Sequence, residues 1–129
     1  MPAGDVTITS SRVGYGTVSH GSIVRLDCAI ETDGSEDATG VSAVLAGKLL
    51  GAVYVYGTLA ATTDIVVNNS DGIDLLGGNG ANLAQANALI APAWTSFGVP
   101  FTGPLTVTVD EGGATATGTL RLYIERMPD

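Results

Sequence analysis

The most reactive side chains of the sequence are a single histidine, His20, and a single cysteine, Cys28. Catalysis of the Ser-His type needs a histidine held between a nucleophile and a carboxylate. His20 stands in a turn-like Ser-His-Gly segment, and the sequence has no Gly-x-Ser-x-Gly elbow, so we interpret it as a solvated turn residue. Cys28 alternates with Leu26 and Ile30, which predicts an inward-facing, unreactive thiol.

Two acidic clusters and one glycine cluster are the remaining candidates for ligand chemistry. Residues 33–37 and 71–74 are rich in Asp, but neither has the spacing of a known calcium loop, and solvated turns explain both. Residues 77–80 lack the Lys and Ser/Thr that contact phosphate and magnesium in a P-loop. One cysteine and one histidine cannot build a Cys/His zinc site. We therefore expect no catalytic, cofactor-binding or metal-binding residues, no cofactor, and no enzymatic activity.

The charge balance limits the classes of partner. The 129 residues include five basic and thirteen acidic ones, a net charge of -8, which repels nucleic acid and anionic membranes. Charged residues make up 14% of the chain, a surface that suits packing against neighbouring proteins, with a quiet monomer as the alternative. The sequence has neither a signal-like start nor a run of about 18 apolar residues. We expect a protein made in the cytoplasm, with no membrane partner.

Alternation of apolar and polar residues predicts most of the strands. Strands are predicted at residues 5–10, 22–31, 41–46, 49–59, 64–69, 105–109 and 120–124, with a further one at 12–20. Residues 32–40 are predicted to form a surface loop, and residues 110–113 a hairpin turn between the last two strands. The segment containing Trp94, Phe97 and Phe101 is predicted to cap one end of the core.

One segment departs from the strand pattern. Leu83, Ala86 and Leu89 are spaced like one or two helical turns, which Pro92 would end. The pattern as a whole indicates an all-β chain, an antiparallel β-sandwich or jelly-roll-like fold with one short helical insertion. We expect a single domain, in which residues 1–21 form an N-terminal arm and edge strand and residues 22–129 form the sandwich.

Four blocks of the sequence together resemble a group of small virion structural proteins of tailed bacteriophages. The blocks are residues 25–30 (RLDCAI), 46–53 (AGKLLGAV), 63–67 with 70–78 (TDIVV and SDGIDLLGG), and 103–109 with 118–124 (GPLTVTV and GTLRLYI). They cover most of residues 22–125. Asn68 and Asn69 depart from the group's pattern, in which an acidic or Leu-rich stretch is commoner.

The resemblance implies a non-enzymatic virion protein located on the capsid exterior or in the head-tail region, after synthesis in the host cytoplasm. The role that it implies first is that of a capsid decoration or cement protein that binds the major capsid protein lattice or neighbouring virion proteins. Two alternatives remain: a neck, connector or tail component, and a receptor-binding or glycan-binding module of the virion. A glycan-binding module needs exposed aromatic residues in loops, whereas the tyrosines mostly fall in strand-like runs.

A lattice-binding protein needs area and repetition more than any reactive residue. We therefore expect a homo-oligomer, with a trimer favoured and a pentamer second. The N-terminal arm and the Ala-rich segment supply the candidate interface residues, unless the arm is disordered and the apolar residues only cover the core. These candidates are Pro2, Ala3, Asp5, Arg12, Leu83, Leu89 and Ile90.

Overall fold

The computed structural model describes residues 3–12, 22–95 and 98–126. Within those ranges the chain is all-β, and every named strand pair is antiparallel. The strands are β1 (Val6–Arg12), β2 (Ser22–Glu31), β3 (Ala38–Val41), β4 (Leu45–Tyr56), β5 (Asp64–Asn68), β6 (Ala88–Ile90), β7 (Val99–Gly103), β8 (Thr106–Asp110) and β9 (Thr117–Arg126). A search of these same ranges for an apolar helix long enough to cross a bilayer finds none.

The strands form two sheets. The large sheet has the order β1-β2-β9-β4-β6, and β7 pairs with the first half of β4. The small sheet has the order β3-β8-β5. Strand β9 pairs with β2 from Thr117 to Arg126 and with β4 along most of the same length, so it lies at the centre of the large sheet.

A shared apolar core lies between the two sheets. Strand β9 contributes Leu120, Leu122 and Ile124, all fully buried, and β8 contributes Val107 and Val109. Successive strand residues point to opposite faces, so each strand buries alternate residues, as the burial of β5, β8 and β9 shows. The arrangement is sandwich-like, as the sequence predicts. Sheets of six and three strands leave the jelly-roll assignment unconfirmed.

The predicted helical insertion is wrong, because residues 88–90 form a strand and the described part of the chain holds no helix. Ala88, Leu89 and Ile90 pair with Tyr54, Val53 and Ala52 of β4. Pairing with a strand more than thirty residues away along the chain supplies the backbone hydrogen bonds that a helix would have made locally, so tertiary context overrides the local spacing.

Three other boundaries differ from the predictions. Residues 38–40 of the segment predicted as a surface loop belong to β3, so the loop ends at residue 37. Of the run predicted at 41–46, only residues 45–46 belong to β4, which continues through Gly47 and Lys48 into the run predicted at 49–59 and ends at Tyr56. A glycine is needed at position 47 because a Cβ there would overlap the carbonyl oxygen of Glu125 in β9. Residues 110–113 do not join a hairpin, because β8 and β9 lie in different sheets.

The two sheets meet where β1 of the large sheet approaches β3 of the small sheet. Asp5 forms a parallel bridge with Thr39, and the Thr39 N–H donates to the Gly4 carbonyl at 3.0 Å. A Cβ on Gly40 would overlap the carbonyl oxygen of Val6, whereas a Cβ on Gly34 would meet open space. The approach of β1 to β3 therefore depends on the absence of a side chain at position 40.

We predict that Gly40→Ala lowers the free energy of unfolding by about 1–3 kcal/mol, because the strands must move apart to admit the methyl group. Urea denaturation measures the change. Gly34→Ala is the matched control and should unfold at the wild-type midpoint. Equal midpoints for the two variants would contradict the close approach of β1 and β3.

Tyr54 is a second point at which the core can be tested. The residue is 1% exposed, its hydroxyl has no hydrogen-bond partner among the described residues, and burial raises its pKa. A buried polar group without a partner costs stability. We predict that Tyr54→Phe raises the free energy of unfolding by about 1 kcal/mol, while the half-buried Tyr56→Phe leaves it unchanged, both by urea denaturation. A clear loss of stability in Tyr54→Phe would show that the hydroxyl has a partner.

Candidate protein-binding surface

The outer face of the large sheet is the side that points away from the core. On β2 and β9 it carries the residues that alternate with the buried ones, among them Arg25, Asp27, Arg121 and Tyr123. Its strand residues include three basic and three acidic side chains, so its formal charge is zero although the chain carries -8. The six are Arg25, Lys48 and Arg121 with Asp27, Glu31 and Glu125.

Ion pairs hold the centre of this outer face. The Arg25 Nε lies 2.9 Å from Asp27 Oδ1, and the Arg121 Nε lies 3.6 Å from the same oxygen. Arg25 Nη2 donates to Asp27 Oδ2 at 3.1 Å. Hydrogen bonds to Asp27 and to Tyr123 raise the pKa of Arg25. Pairs that are part-exposed contribute little stability, but Asp27 holds both arginines close to it and offsets one of their two positive charges.

An apolar groove borders the ion pairs on the side of β6. The register between β4 and β9 shifts between Leu49 and Gly51, a bulge that leaves Leu50 outside the core and 41% exposed. Leu50, Val53, Leu89 and Tyr123 line a shallow groove of about 500 Å³, and none of the residues that line it is charged. Leu89 is 85% exposed.

The groove belongs to a long uncharged tract. None of the residues from Leu75 to Val109 is acidic, basic or histidine. Trp94, which is 60% exposed, lies in this tract next to Thr95, a residue that lines the groove. The cores of protein-protein interfaces are depleted in charge and enriched in aromatic residues, so this composition is typical of a protein-binding surface.

The acidic residues gather at one end of the molecule, which we call the acidic end. It comprises the N-terminal approach to β1, the loop before β3, the start of β5 and the loop after β8. Its acidic residues are Asp5, Asp33, Glu36, Asp37, Asp64, Asp110 and Glu111. No basic residue lies in these segments. Much of the net charge is therefore separated from the outer face and the groove.

The carboxyl group of Asp37, at the acidic end, has a raised pKa. A hydrogen bond to Asp110 raises the pKa of Asp37, and desolvation and the charges of Asp110 and Asp33 raise it further. Asp110 also lies directly opposite Asp64 in the pairing of β8 with β5. Like charges directly opposite one another destabilise a sheet, so ionisation of Asp37 adds repulsion at this end.

In each of the two acidic clusters noted in the sequence, one aspartate accepts hydrogen bonds from backbone N–H groups. Asp33 Oδ1 accepts the N–H groups of Ser35 and Asp37, at 2.9 and 3.1 Å. Asp74 accepts three backbone N–H groups, those of Val67, Leu76 and Gly78. Among the described residues, no group of three or more His, Cys, Asp or Glu side chains could hold a metal ion.

The predicted reactive residues have separate outcomes. Cys28 is fully buried, which confirms its inward direction, and burial together with the charge of Asp27 raises the pKa of its thiol to about 12. His20 lies outside the described residues, as does Phe97, one of the three aromatics expected to cap the core. Phe101 is buried, whereas Trp94 is exposed.

The candidate interface residues fall into three groups. Leu89 is exposed on the outer face, whereas Leu83 and Ile90 are buried, at 7% and 4% exposure, and cover the core of their own chain. Ala3 and Asp5 are exposed at the acidic end, and the Gly4 N–H donates to the Glu31 carbonyl, so the chain is anchored there.

The remaining two interface candidates are Arg12 and Pro2. Arg12 ends β1, and Pro2 lies outside the described residues.

Sequence reasoning missed Leu50, because a bulge in a run of apolar residues leaves no periodic signal. It also missed the exposure of Trp94, although the absence of charge from Leu75 to Val109 pointed to this region.

Comparison with protein-family models, with curated proteins and with solved structures finds no match to this chain.

The pH dependence of stability tests the carboxyl pair. Because the pKa of Asp37 is raised in the folded chain, the folded state binds its proton more tightly than the unfolded state. The contribution of Asp37 to the free energy of unfolding is therefore greatest below the ordinary pKa of Asp. It falls as the pH rises through the raised pKa of Asp37. We predict that Asp37→Asn raises Tm at neutral pH and changes it little near pH 3.

Thermal melts from pH 3 to 7, followed by circular dichroism, measure this difference. Asp71→Asn removes the same charge from an exposed turn at a distance from the pair, and it should leave the shape of the pH profile unchanged. A profile of Asp37→Asn parallel to that of the wild type would contradict the raised pKa of Asp37.

Proposed function

We propose that this chain is a non-enzymatic virion structural protein of a tailed bacteriophage, a capsid decoration protein that binds the major capsid protein lattice as a homo-oligomer. The phage assignment rests on the resemblance of the four sequence blocks. The observation that supports a binding role is the neutral outer face of the large sheet, with its apolar groove, in a chain of net charge -8.

The proposed orientation places the outer face of the large sheet on the lattice. The three basic and three acidic side chains of this face sum to a formal charge of zero, and the groove supplies apolar area. The acidic end then projects to the side of the contact, in solvent, where net negative charge favours solubility. Each copy needs to bind only weakly, because linked copies convert weak contacts into tight attachment.

A different observation favours the receptor-binding or glycan-binding alternative. Trp94 is 60% exposed and Tyr123 lines the neighbouring groove, so the aromatic surface that such a module needs is present. This alternative predicts quenching or a shift of Trp94 fluorescence on addition of a glycan, in the absence of capsids. The third role, as a neck, connector or tail component, differs from decoration in copy number.

Co-sedimentation with undecorated shells of a tailed-phage major capsid protein tests the proposal. We expect saturation at on the order of hundreds of copies per shell, counted by gel densitometry. Saturation at about a dozen copies or fewer would favour the neck or a vertex instead. An absence of binding would overturn the decoration role and bring the glycan alternative forward.

A pair of variants tests which face binds the shell. Ala29→Glu adds a negative charge to an exposed position on the outer face, and we expect it to weaken shell binding by about tenfold or more. Ser35→Glu adds the same charge at an exposed position of the acidic end and should bind like the wild type. Equal weakening by both variants, or weakening by Ser35→Glu alone, would contradict the proposed orientation.

A further inference from the structure

We propose that two copies of this chain pair through their β6 strands, antiparallel about a two-fold axis at Leu89, so that two large sheets join into one. This pairing is a specific form of the self-association included in the proposed function, so it rests on the proposed function. Three features support it: the open edge of β6, the position of Leu89 on that edge, and the placement of charge.

Strand β6 is an edge strand of the large sheet. Its residues pair with β4 on one side, and the described part of the chain places no strand on the other side. An edge presents unpaired N–H and C=O groups, which proteins commonly protect with charged side chains. The nearest charged residues along the chain are Asp74 and Asp110, so β6 lacks this protection. The partner that fits a strand edge is another strand edge.

The symmetry of the strand favours a second copy as that partner. Two identical strands that pair antiparallel are related by a two-fold axis at their central residue, which makes the contact isologous and closed. In Ala88–Ile90 that residue is Leu89, which is 85% exposed on the outer face. The pairing therefore brings two Leu89 side chains together at the axis and places the two apolar grooves side by side on the joined outer face.

The placement of charge favours antiparallel over parallel association. Each copy carries a net charge of -8, with seven acidic residues at the acidic end. A parallel arrangement would set two acidic ends side by side, whereas the antiparallel arrangement sends them to opposite sides of the pair. The contact itself forms within the uncharged tract from Leu75 to Val109, so no charged side chain is desolvated by the strands that meet.

The pairing has a consequence for lattice binding. A two-fold axis perpendicular to the joined sheet leaves both outer faces pointing in the same direction. One dimer therefore presents two neutral faces to one surface, and the second contact forms at a high effective concentration. This differs from the trimer expected from the sequence, and the mass in solution distinguishes the two.

Light scattering coupled to gel filtration at tens of micromolar tests the pairing without capsids. Two copies of the 13.0 kDa chain give about 26 kDa, and we expect that mass for the wild type. Leu89→Asp should halve it, since it places two like charges at the axis. Val44→Asp alters another exposed apolar residue, 75% exposed in the loop after β3, and should keep the wild-type mass. Circular dichroism confirms that both variants fold.

Disulfide trapping tests the position of the axis. Opposite residues of an antiparallel pair have Cα atoms roughly 4.5–5.5 Å apart, a separation that a disulfide spans. Leu89→Cys should therefore give a covalent dimer on mild oxidation, with one disulfide formed and two electrons and two protons passed to the added oxidant. Val44→Cys should not. Cys28 is fully buried and does not compete.

Three results would overturn the pairing. They are a mass of about 13 kDa for the wild type, a mass of about 39 kDa that Leu89→Asp leaves unchanged, and a two-copy species that Leu89→Cys fails to trap. Failure of the proposed function is distinguishable from these results. A dimer that does not sediment with shells refutes the decoration role and leaves the pairing standing. A monomer that does sediment refutes the pairing and the homo-oligomeric state and leaves the decoration role standing.

Discussion

The pairing of β9 with both β2 and β4 is the interaction on which the rest of the structure depends. It places Leu120, Leu122 and Ile124 in the core, where the small sheet covers them, and it sends Arg121 and Tyr123 to the outer face. One strand thus specifies both the apolar interior and the surface available to a partner. A one-residue shift in this register would exchange the two sets and expose the core residues.

The separation of charge follows from the same arrangement. Strand ends and loops at one end of the molecule carry seven acidic residues, while the outer face balances three basic against three acidic ones. Ion pairs to Asp27 keep the arginines of that face from acting as an exposed basic patch. A chain whose excess charge lies at one end can approach another surface through its neutral side at small electrostatic cost. The proposed lattice contact and the proposed β6 pairing both use that side.

The sequence predicted the parts of the fold that depend on local alternation, and it failed where distant pairing decides. The inward direction of Cys28 and the alternation of β5, β8 and β9 follow from a period of two and are confirmed. The helix was wrong because the spacing of Leu89 is a local signal, whereas its strand partner is Val53. The hairpin at residues 110–113 was wrong because a turn does not specify which sheet the next strand joins. Of the candidate interface residues in the Ala-rich segment, exposure supports Leu89 alone.

Hydroxyl-radical footprinting of the chain, free and bound to capsid shells, tests the central claim that the neutral outer face and its groove meet other proteins. The method reports the solvent access of individual side chains. The account predicts that Trp94, Tyr123 and Leu50 become less reactive on the shell, while the residues of the acidic end keep the reactivity of the free protein. Protection confined to the acidic end, with unchanged reactivity of Trp94 and Tyr123, would contradict it.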